Sequence, residues 1–163
     1  MFIRSAGERD LPAIRELLVT TWHATYDDIY GERQVDEITN DWHSIASLKA
    51  RLLRPNSEFL VADDGNQIGG MAFAAATSDQ KTVILQQLYV HPDHQRAGIG
   101  QMLLSEIEGC FPDAQLVRLE VEAANAPALA FYRKHGFVHS GVIENCGPED
   151  TDIPALVLEK KLG

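Results

Sequence analysis

The segment with the clearest chemical pattern is QLYVHPDHQRAGIGQMLL, residues 87–104. A strand-like apolar run ends before Pro92, which cannot donate a hydrogen bond to a neighbouring strand. Gly98 and Gly100 follow, one turn before apolar residues that recur at helical spacing. Glycines at a helix start let a ligand approach N–H groups that lack helical partners and carry partial positive charge. The segment predicts either a phosphate-binding turn or a plain strand-to-helix turn that needs glycine only for its backbone freedom.

Two other phosphate-binding motifs fit the segment poorly. A dinucleotide fingerprint needs a third glycine at the position of Leu103, and a P-loop needs Gly-Lys-Ser/Thr. Glu120 does lie about 20 residues downstream, where a dinucleotide site places an acidic residue. The long connection over residues 91–97 nevertheless argues against a nucleotide-binding oxidoreductase.

A second pattern lies downstream, in LEVEAANAPALAFYRKHGF, residues 119–137. With both stretches in view, the chain resembles the GNAT superfamily of N-acetyltransferases. The stretch from Gln95 to Gly100 matches that family's pyrophosphate signature, Q/R-x-x-G-x-G/A, at every position. The family's second pattern, N-x-x-A-x-x-F-Y-x-x-x-G-F, is matched by Asn125, Ala128, Phe131, Tyr132, Gly136 and Phe137. Either motif alone is a weak signal, whereas both in this order are specific.

The resemblance implies that the cofactor is acetyl-CoA and assigns its binding residues. Loop residues would hold the pyrophosphate, chiefly through backbone N–H groups: Gln95, Arg96, Ala97, Gly98, Ile99, Gly100 and Gln101. On the preceding strand, Leu88 and Val90 would pair through their backbones with the pantetheine arm, and the N–H of Val90 would polarise the acetyl carbonyl. Asn125 would bond the cofactor's amide groups, or cap the helix that begins near Pro127, or do both.

The resemblance also implies which groups move protons. Tyr132 matches the family's proton donor to the leaving thiolate, and a phenol with a pKa of about 10 suits that task. Packing of Tyr132 on the sheet is the alternative. Many family members carry a glutamate base on the central strand, where this chain has Gln86 and Gln87. Glu120 stands in the local context of the base in the similar ribosomal-protein N-terminal alanine acetyltransferases. It is the candidate base or an ordinary exposed strand residue, and Glu122 is the second choice.

The predicted function is transfer of the acetyl group of acetyl-CoA to a primary amine of a small molecule or peptide terminus. Direct attack within a ternary complex is expected. The alternative is a non-catalytic acyl-CoA-binding module that senses or regulates. Trp22 and Tyr26 are candidates to wall the acceptor pocket or hold an amine by a cation–π contact, and core packing is their other interpretation. No third ligand accompanies His91 and His94, so no metal site is predicted.

The elements that position these residues follow from the same periodicities. The pattern predicts, in order, a strand, helices, three meandering strands, a helix, a strand, a helix and two strands. Asp10 is the expected N-cap of a first helix that reaches Trp22, Gly31 separates further helices, and residues 147–152 form an acidic hairpin loop. The order implies an α/β (α+β) fold with a mixed, mostly antiparallel seven-stranded sheet and helices on both faces. We expect one domain over residues 1–163, and the resemblance adds an opening between the fourth and fifth strands.

Composition limits the expected partners. The chain has 163 residues and a formal net charge of −10, which disfavours nucleic acid and anionic membrane as partners. This charge favours a cationic substrate or basic peptide, or simply keeps the protein dispersed. Cys110 and Cys146 show no paired spacing, so neither a disulfide nor a thiolate metal site is predicted. The N-terminal segment lacks the apolar centre of a signal peptide, so we expect a cytoplasmic protein; dimerisation, common in the family, is a further expectation.

Overall fold

The computed structural model describes residues 1–95, 97–143 and 155–162. The strands are β1 (Phe2–Ser5), β2 (Ser57–Asp63), β3 (Ile68–Ala76), β4 (Thr82–Val90), β5 (Leu116–Glu122), β6 (Val138–Ile143) and β7 (Ala155–Lys161). The helices are α1 (Leu11–Tyr30), α2 (Glu32–Trp42), α3 (Ile45–Leu52), α4 (Ile99–Cys110) and α5 (Ala126–Lys134).

The strands form one seven-stranded sheet in the order β1-β2-β3-β4-β5-β7-β6. The pairs β1–β2, β2–β3, β5–β7 and β6–β7 are antiparallel. β4 and β5 run parallel and pair through Thr82–Leu85 and Leu116–Leu119, and β4 then continues to Val90. The predicted mixed and mostly antiparallel seven-stranded sheet is therefore confirmed.

Residues 1–75 and 87–110 form one compact unit, whose core lies where α1 and α3 cover β2 and β3. The buried side chains of this core are Leu11, Ile14, Leu17, Leu18, Leu48, Phe59, Val61, Met71 and Phe73. Its α1 members recur at helical spacing and its strand members alternate along β2 and β3. The core thus uses one face of each element, as the periodicity predicts.

The opposite face of β3 is covered by α4. A Cβ atom at Gly70 would lie 3.0 Å from Ile99 Cγ2, 3.1 Å from Leu103 Cδ1 and 3.1 Å from the carbonyl oxygen of Tyr89. Its neighbour Met71 belongs to the core under α1, because successive side chains of a strand point to opposite faces. Helices therefore cover both faces of this part of the sheet, and the missing side chain at position 70 permits the close approach of α4.

Residues 76–86 and 111–163 form a second compact unit. In it β7 lies between β5 and β6 and is antiparallel to both. Val117, Leu119 and Leu158 are buried on these strands. The single domain expected over residues 1–163 stays a prediction. The expected acidic loop over 147–152 lies outside the described residues.

The start of α1 differs from expectation, because Asp10 makes no side-chain cap to that helix. Its carboxylate instead accepts hydrogen bonds from Arg4 Nη1 at 2.8 Å, Arg4 Nη2 at 2.9 Å and the Gly7 N–H at 2.8 Å. Arg4 Nε also donates to Asp63 Oδ2 at 3.0 Å. The guanidinium draws the carboxylate away from the helix, and β1, the end of β2 and the start of α1 are joined through Arg4.

The N-terminal helices are also longer than expected. α1 continues beyond Trp22 to Tyr30, and Gly31 then separates it from α2. Part of the reason is that His23 and Thr25 lie at the edge of the helix's buried face while Tyr26 lies on it, so burial continues for another turn.

In the described part of the chain, no helix combines the length and apolar composition needed to cross a membrane.

Candidate active site

The first turn of α4 carries the glycine loop. The first helical hydrogen bond there runs from the Met102 N–H to the Gly98 carbonyl at 3.0 Å. Ile99, Gly100 and Gln101 therefore come before the first residue whose N–H finds an acceptor within the helix. Gly98 has φ of +81°, a conformation that side chains disfavour. Apart from its chain neighbours, no described residue has a heavy atom within 4 Å of the position that its Cβ would take. The turn presents backbone donors beside open space.

An open depression of about 530 Å³ lies along this end of α4. Its lining is mostly the exposed side of the helix: Ile3, Gly98, Gln101, Met102, Ser105 and Glu106. The depression gives room for a ligand considerably larger than a phosphate group. Arg96, which precedes this turn in the predicted binding set, lies outside the described residues.

The end of β4 is held by loop residues. Gln95 Nε2 donates to the Val90 carbonyl at 3.2 Å, and the His91 N–H donates to the Gly69 carbonyl at 2.8 Å. The Gln95 side chain therefore fixes the end of the strand that includes Leu88 and Val90. The sequence singled out Gln95 for the loop but gave no sign of this contact.

The two loop histidines are engaged in local hydrogen bonds. His91 Nδ1 accepts from the Asp93 N–H at 3.1 Å, and His94 Nε2 lies 2.8 Å from Gln67 Nε2. Among the described residues, no group of three or more His, Cys, Asp or Glu side chains is arranged to hold a metal ion.

Helix α5 carries two predicted site residues within the second unit. Asn125 Oδ1 accepts a hydrogen bond from the Ala128 N–H at 3.2 Å, so this residue caps the helix, as one of its two interpretations predicted. The Tyr132 ring lies 5.3 Å from the Phe131 ring and 5.4 Å from the Phe137 ring, both edge-on. Tyr132 is buried, with 8% of its surface exposed, so the phenol has little contact with water.

The two candidate carboxylates of β5 have different surroundings. Glu120 is exposed and pairs through its backbone with Val157 of β7. Glu122 is 7% exposed although it follows Glu120 by two residues, since Val121 and Glu122 are both buried where the strand ends. The simple alternation of polar and apolar exposure predicted for this strand is wrong at Glu122.

A cluster of aromatic side chains lies between α1, α2 and β4 in the first unit. The Trp22 ring is 4.5 Å from Tyr26, 5.4 Å from Trp42 and 5.8 Å from His43. The His43 ring is in turn 6.2 Å from Tyr89. Trp22, Tyr26 and His43 are 3%, 4% and 1% exposed. We call these five residues the aromatic cluster, and it includes both residues proposed from sequence to face the acceptor.

Two arginines hold the histidine of this cluster. Arg15 Nη1 donates to the His43 carbonyl at 2.9 Å, and Arg51 Nη2 donates to the Trp42 carbonyl at 2.5 Å. Burial lowers the pKa of His43 to about 3, and the positive charges of Arg51 and Arg15 act in the same direction. His43 is therefore neutral at physiological pH. Sequence reasoning missed His43, Arg15 and Arg51, because nothing in their local pattern indicates that they meet.

The predicted site residues thus fall into two sets, one in each unit. The first unit carries the α4 turn, Leu88, Val90, Trp22 and Tyr26; the second carries Glu120, Asn125 and Tyr132.

Comparison with known proteins gives consistent matches. A family model described as an acetyltransferase (GNAT) domain matches residues 55–139. A spermidine N(1)-acetyltransferase of Thermoplasma acidophilum is 28% identical over 166 residues, covering 98% of this chain and 96% of that protein. A ribosomal protein bS18-alanine N-acetyltransferase of Salmonella typhimurium is 35% identical over 104 residues, covering 60% of this chain and 68% of that protein.

One solved structure is similar along almost the whole chain. The crystal structure of PaiA N-acetyltransferase from Thermoplasma acidophilum, in complex with coenzyme A, gives a TM-score of 0.85 at 24% identity. The match covers 99% of this chain and 98% of that chain, and it establishes the likeness of the folds.

Proposed function

The chain belongs to the GNAT family of acetyltransferases, and from that premise we propose that a primary amine attacks acetyl-CoA directly within a ternary complex. The chain is an acetyl-CoA-dependent N-acetyltransferase, as the sequence motifs predicted. The identity of the amine, the direct route and the role of each residue belong to the proposal.

The main support for the proposal is the first turn of α4, because its backbone N–H groups suit the cofactor's pyrophosphate. The N–H groups of Ile99, Gly100 and Gln101 come before the first N–H that donates within the helix, which is that of Met102, and the helix dipole adds partial positive charge. The space beside Gly98, which a side chain would fill, lets the ligand come close. When bound, acetyl-CoA supplies an acetyl group activated as a thioester.

The end of β4 is the proposed seat of the pantetheine arm. β4 pairs with β5 only as far as Leu85 and continues to Val90, so its last residues are candidates to pair with the arm instead. Leu88 and Val90 would do so through their backbones, and the Val90 N–H would polarise the acetyl carbonyl. Gln95 keeps this strand end in place through the Val90 carbonyl.

Two side chains of the second unit are proposed to move protons. Glu120 takes a proton from the acceptor amine, directly or through water, because it is exposed and water can carry the proton away. Tyr132 donates a proton to the leaving sulfur, and its neighbours Phe131 and Phe137 restrict its ring. Asn125 caps α5 through Oδ1, and its side chain is also proposed to bond the cofactor's amide groups.

Two relatives that are named for their substrates suggest the acceptor classes. One is named for spermidine and another for an alanine of ribosomal protein bS18, so a small-molecule amine and a peptide N-terminus are both represented. Trp22 and Tyr26 are proposed to belong to the acceptor site, since they lie in the aromatic cluster beside Tyr89 of β4.

Thiol release from acetyl-CoA over a panel of amines tests the function. We expect acetyl-CoA to raise the melting temperature and thiol to be released with at least one amine. Binding without thiol release across the panel would favour the alternative, a non-catalytic acyl-CoA-binding module. No binding at millimolar acetyl-CoA would contradict both.

Two variants test the proton movers. Tyr132→Phe should lower kcat by about a hundredfold or more with unchanged acetyl-CoA affinity, while Tyr30→Phe, which removes the same hydroxyl elsewhere, should not. Glu120→Gln should lose rate near neutral pH and partly recover it at alkaline pH, where more amine is already deprotonated. An unchanged pH profile would transfer the role to Glu122 or water.

A further inference from the structure

Three ring N–H groups of the aromatic cluster are buried without a hydrogen-bond acceptor among the described residues. They belong to Trp22 Nε1, Trp42 Nε1 and His43 Nε2. The three rings are mutual neighbours, with centroids 5.4 Å, 5.8 Å and 6.4 Å apart. Buried polar groups in native proteins almost always have a partner, so three donors in one cluster call for an acceptor from outside the described residues.

The hydrogen-bonding geometry makes His43 a donor at Nε2. Arg51 Nη1 lies 3.5 Å from His43 Nδ1, a long contact whose direction is fixed because a guanidinium has no acceptor. Nδ1 must therefore receive this hydrogen bond. The ring is neutral and carries one proton, which is then on Nε2.

The charges around the cluster favour an oxygen acceptor over a cation. Arg51 and Arg15 both contact the segment at Trp42 and His43. Guanidinium groups are cationic and only donate hydrogen bonds, and the aromatic N–H groups are donors only. A ligand's carboxylate or carbonyl oxygen fits this surrounding, whereas a protonated polyamine brings further donors and positive charge.

A complementary group lies on β4. Gln87 Oε1 is buried and has no donor among the described residues. Gln87 and Tyr89 are two positions apart on one strand, so their side chains share a face, and Tyr89 lies against His43. Gln87, Trp42 and Tyr89 are only partly buried, so solvent reaches the cluster from their side.

We propose that the acceptor is a primary amine with a carboxylate or carbonyl oxygen next to it, as in an α-amino acid or a peptide N-terminus. The N–H groups of Trp22, Trp42 and His43 donate hydrogen bonds to this oxygen, and Gln87 Oε1 accepts a hydrogen bond from the amine. This inference rests on the proposed function and narrows its substrate class. It excludes simple polyamines as preferred acceptors, despite the net charge of −10 that would attract them from afar.

The test uses acceptors that differ in the oxygen, and each kcat/KM is calculated on the concentration of the neutral amine, because an adjacent carbonyl group also makes the amine less basic. Phenylalanine, phenylalaninamide and phenethylamine form one series, alanine, alaninamide and ethylamine a second, and spermidine is added. We expect kcat/KM at least about tenfold higher for the best oxygen-bearing member of a series than for its plain amine. Preference for the acid identifies a carboxylate ligand, and preference for the amide identifies a peptide-like carbonyl. Equal rates within both series, or a preference for spermidine, would overturn the inference.

Trp22→Phe and Trp42→Phe remove the N–H and keep a ring. Each should lower kcat/KM for the oxygen-bearing acceptor about tenfold relative to that for the plain amine of the same series, so the plain amine measured on the same variant accounts for any general loss of activity. Equal changes for both, or none, would show that these N–H groups have no part in recognition.

Binding without acetyl-CoA separates this inference from the proposed function. The preferred oxygen-bearing compound should raise the melting temperature of the wild type and not that of Trp22→Phe. If no amine releases thiol but this shift is seen, the recognition site stands and the catalytic proposal fails. If thiol is released at equal rates with oxygen-bearing and plain amines, the catalytic proposal stands and the recognition site is wrong.

Discussion

The α4 turn and the aromatic cluster differ in how the chain builds them. The turn uses backbone N–H groups of consecutive residues, from Ile99 to Gln101, beside one glycine. The cluster uses side chains that range from Trp22 to Tyr89 in the sequence. A site made from local backbone leaves a motif in the sequence, whereas a site made from distant side chains leaves none. The binding site for the cofactor that a family shares can accordingly be predicted from the sequence. The binding site for the acceptor, which differs between members, becomes visible only in the structure.

Gly98→Ala tests the backbone side of this comparison and should have the largest effect. The alanine is strained at φ of +81° and its methyl occupies the space beside the N–H donors, so KM for acetyl-CoA should rise by up to about a hundredfold. KM for the amine should stay unchanged in steady-state kinetics. Gly109→Ala is the matched control, since the position of its Cβ is also free of heavy atoms from other described elements within 4 Å, but its φ is not positive. A larger change in the amine KM would show that the two sites are not separate.

Asp10→Asn tests the anchoring of α1, which carries Trp22. Hydrogen bonds from Arg4 outweigh the effect of burial and lower the Asp10 pKa from 3.8 to about 2. A carboxylate whose pKa is lower in the folded state stabilises the fold at pH values above its unfolded-state pKa. The free energy of unfolding of the variant should therefore be about 2 kcal/mol lower above pH 4.

The difference should shrink as the pH falls from 4 towards 2 in urea unfolding experiments. Glu8→Gln is the control, because the Glu8 contact to Lys49 lies between exposed side chains and contributes little. A constant difference across this pH range would contradict the role of the Asp10 charge.

Arg51→Gln tests the charge of the aromatic cluster. It keeps a donor and removes the positive charge next to His43, so kcat/KM for an amino acid should fall about tenfold while that for the matched plain amine stays constant. Arg54→Gln, an exposed position three residues later, is the control. A uniform fall for both acceptors would point to lost folding and not to lost charge recognition.

His23→Gln should have the smallest effect. Burial lowers the His23 pKa, but hydrogen bonds from the imidazole to the carboxylates of Asp27 and Asp36 outweigh this and raise the pKa overall. The imidazole lies 2.6 Å from Asp27 Oδ1 and 2.8 Å from Asp36 Oδ1, and so joins α1 to α2. A group whose pKa is higher in the folded state stabilises the fold at pH values below its unfolded-state pKa. This stabilisation is lost as the pH rises above the folded-state pKa. The variant should lose less than about 1 kcal/mol at pH 6 and nothing at pH 9; an equal loss at both would exclude the ionic contribution.

The sequence predicted well those elements whose signals are local. β4 ends before Pro92, and Gly98 and Gly100 lie at the start of α4, as expected; the order of strands and helices along the chain followed from periodicity. Asp10 failed as a cap because Arg4, six residues earlier, competes for its carboxylate. The prediction that Glu122 is exposed was wrong, because burial at the end of β5 overrides the alternation of exposed and buried side chains. His43 could not be found, since its burial depends on partners from other elements.

Tyr89 gives β4 a further property. Its ring contacts His43 in the aromatic cluster, while its two neighbours, Leu88 and Val90, offer the backbone proposed for the pantetheine arm. If both proposals hold, one strand would therefore contribute to both binding sites through adjacent residues, the ring of Tyr89 to one and the backbone of Leu88 and Val90 to the other. Any effect of one ligand on the affinity of the other would then be reciprocal.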